Sequence, residues 1–213
     1  MKILRAELVT SASTAGPRDG LVRDDVPQFA FVGRSNVGKS SLLNALVRRP
    51  IARTSAAAGK TRQANVFLIT AEGGGHGPGS WNVYLVDLPG YGYARGGDAS
   101  RRELAEVADA YFTSLETRRP PGGASDERRD AVFLLVDARH PGLASDVDAA
   151  RWLATRAPLH IVATKIDKLS RSERTTHLRA IERTFGQAPI AVSAAKGDGL
   201  EALWQRIARG ARG

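Results

Sequence analysis

Gly33-Arg34-Ser35-Asn36-Val37-Gly38-Lys39-Ser40 decides how this chain is read. It matches a glycine, four residues, then Gly-Lys-Ser, the pattern of a phosphate-binding loop. Phe29-Ala30-Phe31-Val32 before it is a short apolar run suited to a buried strand, and Ser41 to Val47 after it reads as a helix that stops before Arg49-Pro50. Strand, glycine turn and helix start are the context the pattern needs, so an ordinary glycine-rich turn explains it poorly. Backbone N–H groups of such a turn and of the helix N-terminus point inward and can wrap a polyphosphate. Gly33 and Gly38 permit close backbone approach. Lys39 can bring a point charge to the β- and γ-phosphates, and the Ser40 hydroxyl can ligate Mg²⁺.

On either side of this loop the chain alternates. A strand near the N-terminus and a polar lead-in occupy residues 1–28, assigned to the same domain as residues 29–213. Asn65–Thr70 and Trp81–Val86 read as strands joined by a glycine-rich hairpin over 73–79. A helix is predicted over 101–118, with Leu104, Val107, Ala108, Tyr111 and Leu115 on one side. Ala131–Val136 is a continuous apolar strand of the kind found in buried parallel sheets. Helix 145–156, strand 159–163, helix 171–185, strand 190–192 and helix 200–208 complete the series. The alternation predicts an α/β domain: a mostly parallel central sheet with helices on both faces.

The 213 residues suffice for one such domain. No apolar run approaches the ~20 residues of a membrane span, and Arg5 and Glu7 interrupt any signal-peptide core after Met1. There are 0 Cys, which excludes disulfides and thiolate metal sites and favours the cytoplasm. The net charge of +9, from 31 Lys+Arg against 22 Asp+Glu, exceeds what a nucleotide site needs. It suits a polyanionic partner such as RNA, or else reflects free use of arginine on solvated faces.

Three later segments address which nucleotide is bound. Asp87 ends a strand, where a carboxylate can hold Mg²⁺ through water. Gly90, within Asp87-Leu88-Pro89-Gly90, can offer a bare N–H to a γ-phosphate. Asp167, within Thr164-Lys165-Ile166-Asp167, can accept two hydrogen bonds from guanine, at N1–H and the 2-amino group. Adenine offers neither, and leaving such a carboxylate unpaired rejects the wrong base by ~10⁴ or more. The Lys165 stem can pack over the purine. Val192-Ser193-Ala194 is placed to meet guanine O6 with backbone N–H groups.

Together these segments look like a Ras-like GTPase of the translation-factor class. GRSNVGKSSLLNAL, GKTRQ, VDLPGYGYA, VDARHP, TKIDKL and VSAAKGDG, in this order from about Ala30 to the C-terminus, closely resemble the EngB (YihA/YsxC) family of bacterial ribosome-biogenesis GTPases. The resemblance implies that Gly59, Lys60, Thr61, Arg62 and Gln63 form the first switch, with Thr61 a second Mg²⁺ ligand beside Ser40 and active in hydrolysis with Lys39 and Gly90. It implies that Asp87–Gly90 is the second switch, that GTP, GDP and Mg²⁺ are the cofactors, and that the chain acts in large-subunit assembly and normal septation as a monomer. The partner implied is the large ribosomal subunit or its precursor, through rRNA, with no DNA and no membrane.

Two departures from the general Ras-like pattern stand out. Thr164 occupies a position where many GTPases have Asn, though the family resembled tolerates Thr. Tyr91 follows Gly90 where Ras-like enzymes place a water-orienting Gln, so slow intrinsic hydrolysis is expected. Asn36 marks a position that helps bind K⁺ in some related GTPases; it reads equally as a turn residue. Candidate RNA contacts are Arg48, Arg49, Arg53, Lys60, Arg62, Arg101, Arg102, Arg171, Arg174, Arg179 and Arg183. The last four also read as the wet face of a helix whose apolar stripe is Leu178, Ile181 and Phe185. Rival readings are a P-loop kinase or ATPase, which leaves Asp167 idle, a nucleotide-switched ribosome-binding module with negligible turnover, and a constitutive RNA-binding protein.

Overall fold

The computed structural model describes residues 1–12, 24–52, 63–73, 79–91, 106–115 and 130–212. Its strands are β1 (Lys2–Ala12), β2 (Gln28–Gly33), β3 (Ala64–Glu72), β4 (Ser80–Asp87), β5 (Ala131–Asp137), β6 (Leu159–Thr164) and β7 (Ile190–Ala191). Its helices are α1 (Lys39–Val47), α2 (106–115), α3 (Ala144–Ala154), α4 (Arg171–Phe185) and α5 (Leu200–Arg212). The described strands form one sheet in the order β1-β3-β4-β2-β5-β6-β7. Pairing is parallel from β4 through β2, β5 and β6 to β7. It is antiparallel at β3–β4 and β1–β3.

Strands β2 and β5 are buried at every position because both sheet faces are covered. Side chains alternate between the two faces. Phe29 and Phe31 pack with Leu42 and Leu46 of α1 and Trp204 and Ile207 of α5. Ala30 and Val32 face the other way, toward Tyr111 of α2, Leu153 of α3 and Ile181 of α4. Val107 and Ala108 of α2 are buried with Tyr111, as the predicted stripe requires; Leu104 lies outside the described residues. Trp204 joins its helix to α1 by donating its indole N–H to the Leu46 carbonyl at 2.9 Å.

The elements differ from the sequence reading mainly at their ends. Helix α1 begins at Lys39, so Lys39 and Ser40 lie in its first turn. Helix α5 runs to Arg212, past the predicted end at residue 208; the buried Ala208 and Ala211 continue its apolar stripe, and packing outweighs the weak helix propensity of Gly210. Helix α3 begins and ends earlier than predicted, and β7 ends at Ala191. The edge strand β1 carries irregularities between Ile3 and Arg5 and between Leu8 and Thr10. Its exposed Leu4 and Val9 fall at these bulges, a device that discourages edge-to-edge pairing. Among the described residues no helix is long and apolar enough to cross a membrane.

Parallel register brings the carboxyl ends of the inner strands to one rim. Phe31 pairs with Asp87, Gly33 with Leu135, Asp137 with Thr164 and Ala163 with Ala191. Open α/β sheets bind their ligands at such a rim.

Candidate functional site

The phosphate loop leaves β2 at Gly33 and enters α1 at Lys39. Asn36 (φ 65°) and Gly38 (φ 105°) are both left-handed. Alternation of left- and right-handed residues turns successive N–H groups to one side and forms an anion-binding concavity. Asparagine tolerates that conformation, and Gly38 avoids a Cβ penalty. At Gly33 a Cβ would lie 2.8 Å from Val37 Cγ1 and 3.0 Å from the Leu135 carbonyl oxygen, so only glycine fits. Lys39 is 8% exposed and its Nζ contacts Asp87 Oδ1; Asp87 is 2% exposed. The cation read as a phosphate ligand and the carboxylate read as a Mg²⁺ holder therefore share one buried spot.

The segment read as the second switch is fastened to this loop. Tyr91 N donates to the Gly33 carbonyl at 3.2 Å, and Ser35 N donates to the Tyr91 carbonyl at 3.0 Å. Leu88 N donates to the Phe31 carbonyl at 3.2 Å, and Leu88 and Pro89 are buried. Gly90 sits so close that a Cβ would approach the Gly33 carbonyl oxygen to 3.1 Å and Ser35 N to 3.2 Å. The Tyr91 phenol turns toward α3 and donates to Asp146 Oδ1 at 3.0 Å.

The base motif follows β6. Thr164 is buried and its hydroxyl donates to the Val37 carbonyl at 2.8 Å and reaches the Val136 carbonyl at 3.2 Å. Threonine here thus makes a direct bond to the phosphate loop, which answers the departure from Asn. Lys165, left-handed at φ 59°, sends its Nζ to the Asn36 carbonyl at 2.5 Å and to Asp137 Oδ2 at 2.9 Å. Ile166–Lys168 is one 3₁₀ turn, with Ile166 buried beneath it. Asp167 Oδ1 accepts from the Ser193 hydroxyl at 2.7 Å. That bond first, with Lys168 nearby, holds the Asp167 carboxyl below its ordinary range despite some desolvation. Val192 N donates to the Ala163 carbonyl and Ser193 N to the Asp198 carbonyl. Of the three N–H groups read as meeting O6, those of Val192 and Ser193 are therefore engaged within the protein. Gly199 (φ 72°) closes this loop, where a Cβ would lie 1.9 Å from the Ala191 carbonyl oxygen.

Sequence reasoning gave no role to Asp137 and Arg139, although both lie in the quoted VDARHP stretch. Arg139 donates from Nε to Asp137 Oδ1 at 2.9 Å and from Nη2 to Oδ2 at 2.7 Å, and its backbone N–H adds a third bond. Burial alone would raise the Asp137 carboxyl; hydrogen bonds from Arg139 and Lys165 override it and hold the carboxyl far below its usual range. Asp137 is thus an anchor that keeps the Lys165 stem extended beside the phosphate loop. The signal available in sequence was an acid at the end of a buried strand, the same placement that singled out Asp87.

Gln63 is exposed immediately before β3, whereas Gly59, Lys60, Thr61 and Arg62 lie outside the described residues. So do Arg53, Arg101 and Arg102. Arg48, Arg49, Arg171, Arg179 and Arg183 are exposed. Arg174 is half-buried and donates to the Ile166 carbonyl at 3.3 Å, a structural task. Ile181 is buried with Leu178 and Phe185 partly so, which fits the predicted stripe of α4.

A strand–loop–helix nest with a buried lysine, joined by hydrogen bonds from Thr164 and Lys165 to the segment that carries Asp167 on the same rim, is the arrangement of a P-loop GTPase of Ras-like fold. Known proteins agree. The family described as 50S ribosome-binding GTPases matches residues 28–165. A probable GTP-binding protein EngB from Chlorobaculum parvum is 39% identical over 214 residues, covering 97% of each chain. One from Anaeromyxobacter is 42% identical over 196 residues, covering 89% of this chain and 84% of the relative. Among solved structures, Aquifex aeolicus Era bound to GDP and AlF4⁻ aligns with TM-score 0.66 and 25% identity over 87% of this chain and 57% of Era. A probable GTP-binding protein engB aligns with TM-score 0.62 and 22% identity, covering 87% of this chain and 98% of that one.

The chain belongs to the EngB family. It is accordingly a GTP-binding protein and a GTPase, of a family of switch proteins linked to ribosome assembly and to cell division and septation. GTP or GDP and Mg²⁺ are its cofactors.

Proposed function

We propose that this chain is a slow, Mg²⁺-dependent GTPase whose nucleotide state governs its association with the large ribosomal subunit or its precursor. The observation that carries the reading is the bond from Thr164 to the Val37 carbonyl, together with that from Lys165 to the Asn36 carbonyl. They make the base motif and the phosphate loop one body, so guanine and polyphosphate are gripped together. The left-handed nest, the first turn of α1 and the buried Lys39 fit a triphosphate in shape and charge.

In this reading Gly33–Ser40 wraps the phosphates, and Lys39 exchanges its contact with Asp87 for phosphate oxygen. Ser40, Thr61 and, through water, Asp87 would hold Mg²⁺, which when bound would neutralise phosphate charge. The Gly90 N–H meets the γ-phosphate. Asp167, oriented by Ser193, takes guanine N1–H and the 2-amino group, and Ala194 N–H takes O6. Slow turnover follows from Tyr91: its hydroxyl is given to Asp146, and a phenol cannot orient the attacking water as Gln does. Asn36 would take part in K⁺ coordination, and a K⁺ ion there would stand in for an arginine finger. Equal hydrolysis rates in K⁺ and Na⁺ buffers, with and without ribosomal particles, would remove that role.

The protein works as a cytoplasmic monomer, with exposed arginines such as Arg48, Arg49, Arg179 and Arg183 meeting rRNA. Titration with GDP and ADP tests base choice, and tighter ADP binding would overturn it. Co-sedimentation with large subunits in GTP analogue, GDP and no nucleotide tests the switch. Affinity is expected to depend on nucleotide and to fall steeply with salt; binding indifferent to both would sink the reading.

A further inference from the structure

Asp146 lies in the first turn of α3, yet it caps nothing, since the helix has no side-chain cap. An acid there ordinarily serves the helix dipole from an exposed position. This one is 2% exposed. A buried carboxylate needs a partner to offset its desolvation. Burial raises its pKa, and the Tyr91 hydroxyl and the charge of Arg34 oppose that rise. The Tyr91 phenol is in turn pushed up, by burial first and by Asp146 next, so it stays a protonated donor. Arg34 belongs to the phosphate loop, Tyr91 follows the second switch and Asp146 begins α3. Two segments 55 residues apart in sequence meet in this hydrogen bond of 3.0 Å, with the charge of Arg34 near enough to act on both groups.

We propose that Asp146 is a positioning residue of the second switch: by holding the Tyr91 phenol it keeps Gly90 seated on the phosphate loop, where the Gly90 N–H meets a nucleoside triphosphate but not a diphosphate. The backbone of Tyr91 bonds to Gly33 on one side and Ser35 on the other. Both bonds need Tyr91 in place, and its phenol ties the same residue to α3 as well. A tether at that end lowers the entropic cost of ordering the switch when the γ-phosphate arrives. The inference rests on the reading of Gly90 given above.

The test uses the full chain and compares Kd for GDP and for a non-hydrolysable GTP analogue in wild type, Asp146→Ala, Asp146→Asn and Tyr91→Phe. In Asp146→Ala and Tyr91→Phe the preference for the analogue over GDP should fall about five- to tenfold, the factor one hydrogen bond sets. GDP affinity should hold. Asp146→Asn, which keeps an acceptor for the phenol, should recover most of the preference. A residue that only stabilises the fold would lower the melting temperature and leave the ratio alone. An unchanged or increased ratio in the folded variants overturns the proposal. Should Asp146→Ala fail to fold, Tyr91→Phe, smaller by one oxygen, decides. Wild-type protein that binds neither nucleotide would overturn the site assignment itself instead.

Discussion

Replacing Thr164 with valine removes one hydroxyl and keeps the shape of the side chain, so it leaves no cavity. Two buried carbonyls lose a donor, Val37 at 2.8 Å and Val136 at 3.2 Å. An unsatisfied buried acceptor costs about 1–3 kcal/mol. The longer bond is the weaker of the two, and the Val136 carbonyl belongs to a sheet strand, so most of the loss falls on Val37. A net cost of about 1–2 kcal/mol is expected, a factor of roughly 5–30 in an equilibrium constant. Because Val37 lies inside the phosphate loop, that loss should appear in nucleotide binding as well as in unfolding. Stopped-flow release of a fluorescent GDP, run beside urea denaturation, reads both. Dissociation should accelerate about 5- to 30-fold. Thr164→Ser, which keeps the hydroxyl and drops a methyl, should release GDP at nearly the wild-type rate while staying somewhat less stable. Refutation would be a valine variant with wild-type GDP release, or a serine variant that releases GDP as fast as valine does.

Other expectations follow from single contacts. Gly199→Ala places a Cβ against the Ala191 carbonyl at a left-handed backbone position, so it should cost more than about 2 kcal/mol and weaken GDP binding; thermal unfolding and titration check it. The Asp137 carboxyl is lower in the folded chain than in the unfolded one, so its stabilisation is complete above about pH 4 and is lost as pH falls toward the folded value. Asp137→Asn should flatten the acid limb of the stability profile and speed GDP release, and an unaltered profile would count against the anchor. His160 is lowered to about 4, by burial first and Arg206 next. Because an unfolded histidine titrates near about 6.5, the unfolded chain takes its proton first, and stability should fall between that pH and the folded value. Urea unfolding of His160→Leu across this window should lack that part of the slope.

The phosphate loop was legible because its signal is local: Gly33, Gly38, Lys39 and Ser40 sit between an apolar run and a helix start within one stretch. Asp167 was singled out by the same kind of local signal, as part of a short segment after an apolar strand. What sequence did not disclose is pairing across distance. Asp137 meets Lys165 across 28 residues, and Tyr91 meets Asp146 across 55. Nothing in either neighbourhood announces the partner; parallel register creates the meeting. Ser193 was read for its backbone, yet its hydroxyl is what touches Asp167. The bulges of β1 were likewise silent, since they depend on the register with β3.

The two sets of contacts on the phosphate loop have different consequences. Thr164 and Lys165 hold Val37 and Asn36 from the base side. Guanine and the first two phosphates are common to both nucleotides, so loosening this side should weaken GDP and GTP alike. Tyr91 holds Gly33 and Ser35 from the switch side. In the reading proposed above the γ-phosphate addresses that side through Gly90, so loosening it should chiefly change the ratio of the two affinities. Combining Thr164→Val with Tyr91→Phe therefore tests whether the loop is one rigid body or two independent grips. Additive free-energy changes would mean independence; a coupling beyond about 0.5 kcal/mol would mean that strain on one side of the loop is felt at the other.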